Sequence, residues 1–132
     1  RTASGCNANI RIYKYTVGQR FGKHIDESVE DENGHLSQWT VLVYLNGGEE
    51  EAKTAGVGET LKGGETVFYK ARRTNGGHEF TFVHHTLFVV TAFSPMRGTA
   101  LIHGHGGRCL LHEGARVEQG VKYLLRTDVM YA

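Results

Sequence analysis

No stretch of this chain carries a sustained 3.6-residue apolar period, so amphipathic helices are not expected of it. It carries short runs dense in β-branched and aromatic residues instead, each cut off by glycine. "NIRIYKYTV" (9–17) sets Ile10 and Ile12 on one face and Tyr13, Tyr15 and Val17 on the other. "WTVLVYLN" (39–46), "ETVFYKA" (65–71), "GTALIHG" (98–104), "RCLLHEG" (108–114) and "VKYLLRTDVMYA" (121–132) read the same way. "EFTFVHHTLFVVTAF" (79–93) is too long for one ordinary strand and is expected to bend or divide. The total is about eight strands. Eighteen glycines and a single proline suit many tight turns. The expected fold is an all-β, antiparallel double-stranded β-helix, or jelly roll.

At 132 residues the chain is most simply one domain, 1–132. Fifteen basic against fourteen acidic residues leave a net charge of +1, which signals neither a nucleic-acid nor a membrane partner. No apolar run is long enough to span a bilayer. Cys6 and Cys109 lack metal-binding CxxC spacing and read as free, buried thiols. That favours a reducing compartment, cytoplasmic or nuclear. The opening "RTASGCNANI" has no initiating Met, so a preceding segment is expected to have been removed. Residues 47–64, "GGEEEAKTAGVGETLKGG", read as a solvated loop without the GK[ST] ending of a phosphate-binding loop.

Chemistry concentrates in the histidines. In "FGKHIDES" (21–28), His24 and Asp26 stand two apart, so on an extended chain they share a face. Such a pair is either a structural contact or part of a metal site. His84 and His85 are adjacent and point opposite ways; His35 and His78 fall in polar turns. His103 and His105 form an HxH pair, but Glu113 follows too late for a cupin motif, and a strand end with a glycine turn is the preferred reading. His112 ends an apolar run with cations on the strand beyond. Two histidines and a carboxylate can hold non-haem Fe(II) with positions left open; a structural cluster or a zinc site fits the same residues.

The ordered set "YTVGQRFGKHID" (15–26), "WTVLVYLN" (39–46), "GGETVFY" (63–69), "FSPMRGTALIH" (93–103) and "LLHEGARVEQGVKYLLRTDVMY" (110–131) resembles the Fe(II)/2-oxoglutarate-dependent dioxygenases, closest to their prolyl 4-hydroxylase branch. The resemblance implies Fe(II) bound by His24, Asp26 and His112, with 2-oxoglutarate as cosubstrate and ascorbate as a further cofactor. It implies Lys122, ten residues after His112, as partner of the distal carboxylate of 2-oxoglutarate, and Tyr15 as a cosubstrate-binding residue. Tyr44 and Thr40, on one strand face, are expected to line the same pocket. Arg126 shares the strand face of Lys122 four residues on, ~13 Å away, so only one of the two is expected to meet the cosubstrate, and the resemblance favours Lys122. The implied reaction hydroxylates a substrate C–H with O2, releasing succinate and CO2, on a protein, peptide or small molecule, with peptidyl proline suggested by the branch. The branch's supporting N-terminal helices have no counterpart in this chain, so one sheet face should lie partly uncovered. The alternatives are a non-enzymatic jelly-roll binding module and a cupin-like metal enzyme using His103 and His105.

Overall fold

The computed structural model describes residues 1–48, 60–74 and 84–132. Among these there is no α-helix. The strands are β1 (Ala3–Cys6), β2 (Arg11–Tyr15), β3 (Phe21–His24), β4 (Leu36–Tyr44), β5 (Lys62–Gly63), β6 (Thr66–Thr74), β7 (His84–Phe93), β8 (Ala100–Gly104), β9 (Leu111–Gly114), β10 (Val117–Gln119) and β11 (Lys122–Tyr131). Every pairing is antiparallel. One sheet runs β1-β11-β4-β8, with β2 also on β11; a second runs β3-β9-β6-β7; β10 and β5 form a small ladder. The jelly-roll expectation therefore holds. Within 79–93, the described part is a single ten-residue strand, and residues 79–83 lie outside the described residues, as do His78 and most of the 47–64 loop.

The alternation on β2 resolves as the sequence suggests. Tyr13 and Tyr15 turn inward, while Ile12 is 66% exposed on the outer face. Ile102 on β8 is also exposed, so the outer face of the first sheet keeps apolar side chains in contact with solvent. Inside, a small apolar cluster of Leu42, Tyr44 and Leu124 packs with Tyr13 and Leu101. Among the described residues, seven buried side chains are apolar and nine are polar or charged. Buried polar groups cost free energy unless satisfied, so an interior of this composition reads as a built site rather than plain core. Cys6 departs from expectation: the short edge strand that carries it leaves it exposed, and only Cys109 is buried.

Glycine opens the inner end of the space between the sheets. Gly64 has φ +74°, a conformation that L side chains rarely adopt, and a Cβ there would sit 3.0 Å from Lys122 Cδ. The side chain of Lys122 occupies the room that glycine leaves.

Candidate metal centre

Strand register brings the two histidines together. On the β3–β9 ladder His24 pairs directly with His112, with a register shift in β3 between Phe21 and His24. Their rings lie 4.3 Å apart, centroid to centroid. Phe68, opposite His112 on β6, stacks against it at 5.2 Å. Asp26, just beyond β3, turns its carboxylate to the same place: Oδ1 is 3.4 Å from His24 Nε2, and Oδ2 is 3.8 Å from His112 Nε2. One donor atom from each of the three lies within 4.8 Å of the others.

The protonation pattern suits a divalent metal. His24 Nδ1 donates to Gly22 O at 2.7 Å, and His112 Nδ1 donates to Leu110 O at 2.9 Å. Each ring then carries its proton on the outer nitrogen and presents a lone pair at Nε2. Burial holds His112 below the usual imidazole range, against its bond to Leu110. Burial would raise the carboxyl of Asp26, but the Thr40 hydroxyl and the Arg126 guanidinium outweigh it and hold Asp26 in its anionic form. Two neutral imidazoles and a carboxylate, with the remaining directions open to a cavity, are a donor set that fits Fe(II).

A directed hydrogen-bond chain supports the carboxylate from behind. Thr40 Oγ1 lies 2.7 Å from Asp26 Oδ2 and 2.7 Å from His105 Nε2. The hydroxyl has one proton and gives it to the carboxylate, so His105 Nε2 must donate to Thr40. His105 Nδ1 then accepts from Ser37 Oγ at 3.0 Å, and Ser37 Oγ accepts from Val29 N–H at 2.8 Å. Asp128, 2% exposed, stands 3.7 Å from both His105 Nε2 and Arg126 Nη2. Arg126 Nη2 reaches Asp26 Oδ2 at 3.1 Å. His105, read from sequence as part of a glycine turn, is buried in this network because β8 delivers it under β4. His103 is similarly enclosed, with its side chain 9% exposed. The two do not fall into a common metal-sized cluster among the described residues, which leaves the cupin-like alternative without its ligand pair.

One cavity of about 240 Å³ opens between the sheets, lined by His24, Asp26, His112, Thr66, Lys122 and Arg126. Tyr15 lines it as well. Lys122 is 3% exposed; its ammonium donates to Gly64 O at 2.6 Å and sits 5.5 Å and 5.6 Å from the rings of Tyr15 and Tyr44. Burial brings its pKa down to about 8, with Glu65 opposing. Thr40 and Tyr44 depart from expectation. Thr40 is fully buried behind Asp26 and positions that carboxylate, because Leu42 takes the cavity-facing place on β4. Tyr44 stands behind the cavity wall, its hydroxyl bonded to Thr66 at 2.6 Å and its ring beside the Lys122 ammonium. Asp128 was not singled out by sequence, Arg126 was weighed only as the alternative cosubstrate anchor, and His105 only as a ligand of the cupin-like alternative. The usable signal was that Lys122, Arg126 and Asp128 alternate on one face of an apolar strand.

Residues 10–127 match the family described as the 2OG-Fe(II) oxygenase superfamily. No curated protein matches the chain. Among solved structures, it is similar to the viral collagen prolyl hydroxylase of Paramecium bursaria Chlorella virus-1, solved as its 2OG complex. Identity is 20% and the TM-score 0.49, covering 96% of this chain. The chain spans 63% of that protein's length.

Proposed function

Because the chain belongs to the 2OG-Fe(II) oxygenase superfamily, we propose that it is the catalytic core of a hydroxylase in which His24, Asp26 and His112 hold Fe(II) and Lys122 anchors 2-oxoglutarate. The observation that carries this reading is the convergence of His24 Nε2, His112 Nε2 and the Asp26 carboxylate, with both Nδ1 atoms tied to backbone carbonyls. Iron with 2-oxoglutarate and O2 supplies the oxidation of C–H to C–OH, with release of succinate and CO2.

The chain's own residues hold and orient the reactants. Lys122 offers a buried ammonium whose only hydrogen bond among those described is to a backbone carbonyl, so an incoming carboxylate gains a charged partner there. Tyr15 flanks that ammonium. The Thr40 hydroxyl and Arg126 keep Asp26 anionic and fix its Oδ2, which leaves Oδ1 toward His24. Phe21 packs against the His24 ring and Phe68 against the buried His112 ring, which holds both imidazoles in place.

Peptidyl proline is the substrate class we propose, with ascorbate as a supporting reductant, both on the strength of the sequence stretches shared with the prolyl 4-hydroxylase branch. Two free cysteines support a reducing compartment, cytoplasmic or nuclear. Among the described residues no helix is long and apolar enough to cross a membrane. The test is aerobic incubation with Fe(II) and 2-oxoglutarate, with and without proline-containing peptides, while succinate is measured. Iron-dependent succinate that rises with peptide supports the proposal. No succinate under any condition favours the binding-module alternative.

A further inference from the structure

Beside the triad, and sharing His112 with it, lies a second constellation whose other two members the oxygenase reading does not use. His103 on β8, Cys109 just after the turn Gly106–Arg108, and His112 on β9 each offer a donor atom within 4.8 Å of the others, all in buried positions. Cys109 Sγ is 3.9 Å from His103 Nδ1 and 3.7 Å from His112 Nδ1. Zinc bonds to sulfur and imidazole place neighbouring donors of a tetrahedron roughly 3.5 Å apart. The two sulfur–nitrogen separations therefore need to close by only a few tenths of an ångström.

We propose that His103, Cys109 and His112 form a Zn(II) site, through Nδ1, Sγ and Nδ1, that is mutually exclusive with iron at the triad. The donor set of one thiolate and two imidazoles is the softness zinc selects, with a fourth position left for water.

Surrounding groups are already arranged for it. The Asp26 backbone N–H points at Cys109 Sγ, at 3.3 Å, a bond that strengthens as the sulfur becomes anionic. His103 Nε2 is buried without a hydrogen-bond partner and stands 3.7 Å from Asp26 Oδ2. His112 Nε2 stands 3.8 Å from the same oxygen. A ring that binds metal through Nδ1 carries its proton on Nε2, so both rings would then donate to Asp26. Asp26 would pass from ligand to outer carboxylate, the pattern that commonly orients metal-bound histidines.

Exclusion follows from one ring. A neutral imidazole has a single lone pair, and His112 offers it at Nε2 to iron or at Nδ1 to zinc. Zinc binding moves the His112 proton from Nδ1 to Nε2, gives up the bond to Leu110 O, and releases the Cys109 thiol proton to solvent. No electron changes hands. The competition rests on the triad reading; the zinc site itself does not.

The experiment titrates Co(II), a spectroscopic stand-in for Zn(II), and then Zn(II) itself into apo-protein under anaerobic conditions. His24→Ala, which breaks the triad alone, and Cys109→Ser, which removes the sulfur alone, are run beside the unaltered chain. The expected result is a thiolate-to-Co(II) charge-transfer band in the unaltered chain and in His24→Ala, abolished by Zn(II). Cys109→Ser should lack the band, and combined with His24→Ala it should bind Zn(II) about tenfold or more weakly than His24→Ala alone. Absence of the band in folded His24→Ala, or its persistence in Cys109→Ser, overturns the site. If the band appears but saturating Zn(II) leaves Fe(II) binding unchanged, the site stands and the exclusion falls.

Discussion

Asp26 and Arg126 form a buried ion pair, with Nη2 3.1 Å from Oδ2 and side-chain exposures of 6% and 17%. Arg126 therefore faces the proposed metal-binding carboxylate and leaves the far end of the cavity to Lys122. Removing one partner of such a pair leaves an uncompensated charge, at a cost of about 3–5 kcal/mol. Arg126→Gln should lower stability by that order at neutral pH. The sign with pH follows from the depressed Asp26 pKa: its contribution is present above the unfolded value of 3.8 and is lost as pH falls through the folded value. The gap between the unaltered chain and the variant should therefore narrow in acid. Urea denaturation at pH 7 and below pH 4 measures it; a gap that stays constant contradicts the assignment.

Thr40 is the hinge of the hydrogen-bond chain behind the carboxylate. Thr40→Val keeps the shape and deletes the hydroxyl, which takes the 2.7 Å acceptor from His105 Nε2 and leaves Asp26 Oδ2 with Arg126 as its remaining partner. A loss of about 1–3 kcal/mol is expected for a buried group left unsatisfied. Iron affinity should fall about 10–100-fold, as for lost outer partners of metal ligands. Denaturation and anaerobic Fe(II) titration read the two effects. A variant as stable and as avid for iron as the unaltered chain contradicts the role.

Lys122 should bind 2-oxoglutarate only while charged. With its pKa at about 8 in the free protein, affinity should fall as pH rises above 8, approaching about tenfold per unit. Stability of the free protein moves the opposite way. The folded pKa is depressed from 10.5, so between about 8 and 10.5 the unfolded chain holds the extra proton and stability rises with pH. Lys122→Met should weaken 2-oxoglutarate by about 2–5 kcal/mol while Fe(II) binding persists. Calorimetry across pH 7–10 on both proteins checks this; a pH-independent affinity removes Lys122 from the site.

How much of this was legible in the sequence depends on the range of the interaction. The strands were visible because alternation and glycine turns are local signals, as in β2 and β4. The HxD spacing was visible for the same reason. That His24 would face His112 depends on register between β3 and β9, which no local pattern encodes. The family stretches supplied that link. The fates of Thr40, His105 and Asp128 were hidden because they are set by the register of β11, β4 and β8 and by Asp26 arriving from the facing sheet. A buried hydroxyl between a carboxylate and an imidazole looks, in sequence, like any threonine in a strand. Arg126 was judged by its distance along β11 from Lys122, although the more informative fact was that both share the inward face with Asp128.

The most direct test of the central claim is anaerobic Fe(II) titration of the apo-protein and of His24→Ala, Asp26→Ala and His112→Ala, each verified as folded by circular dichroism. The account expects one tightly bound Fe(II) in the unaltered chain and strong weakening in all three variants. Undiminished Fe(II) affinity in folded His112→Ala would contradict it.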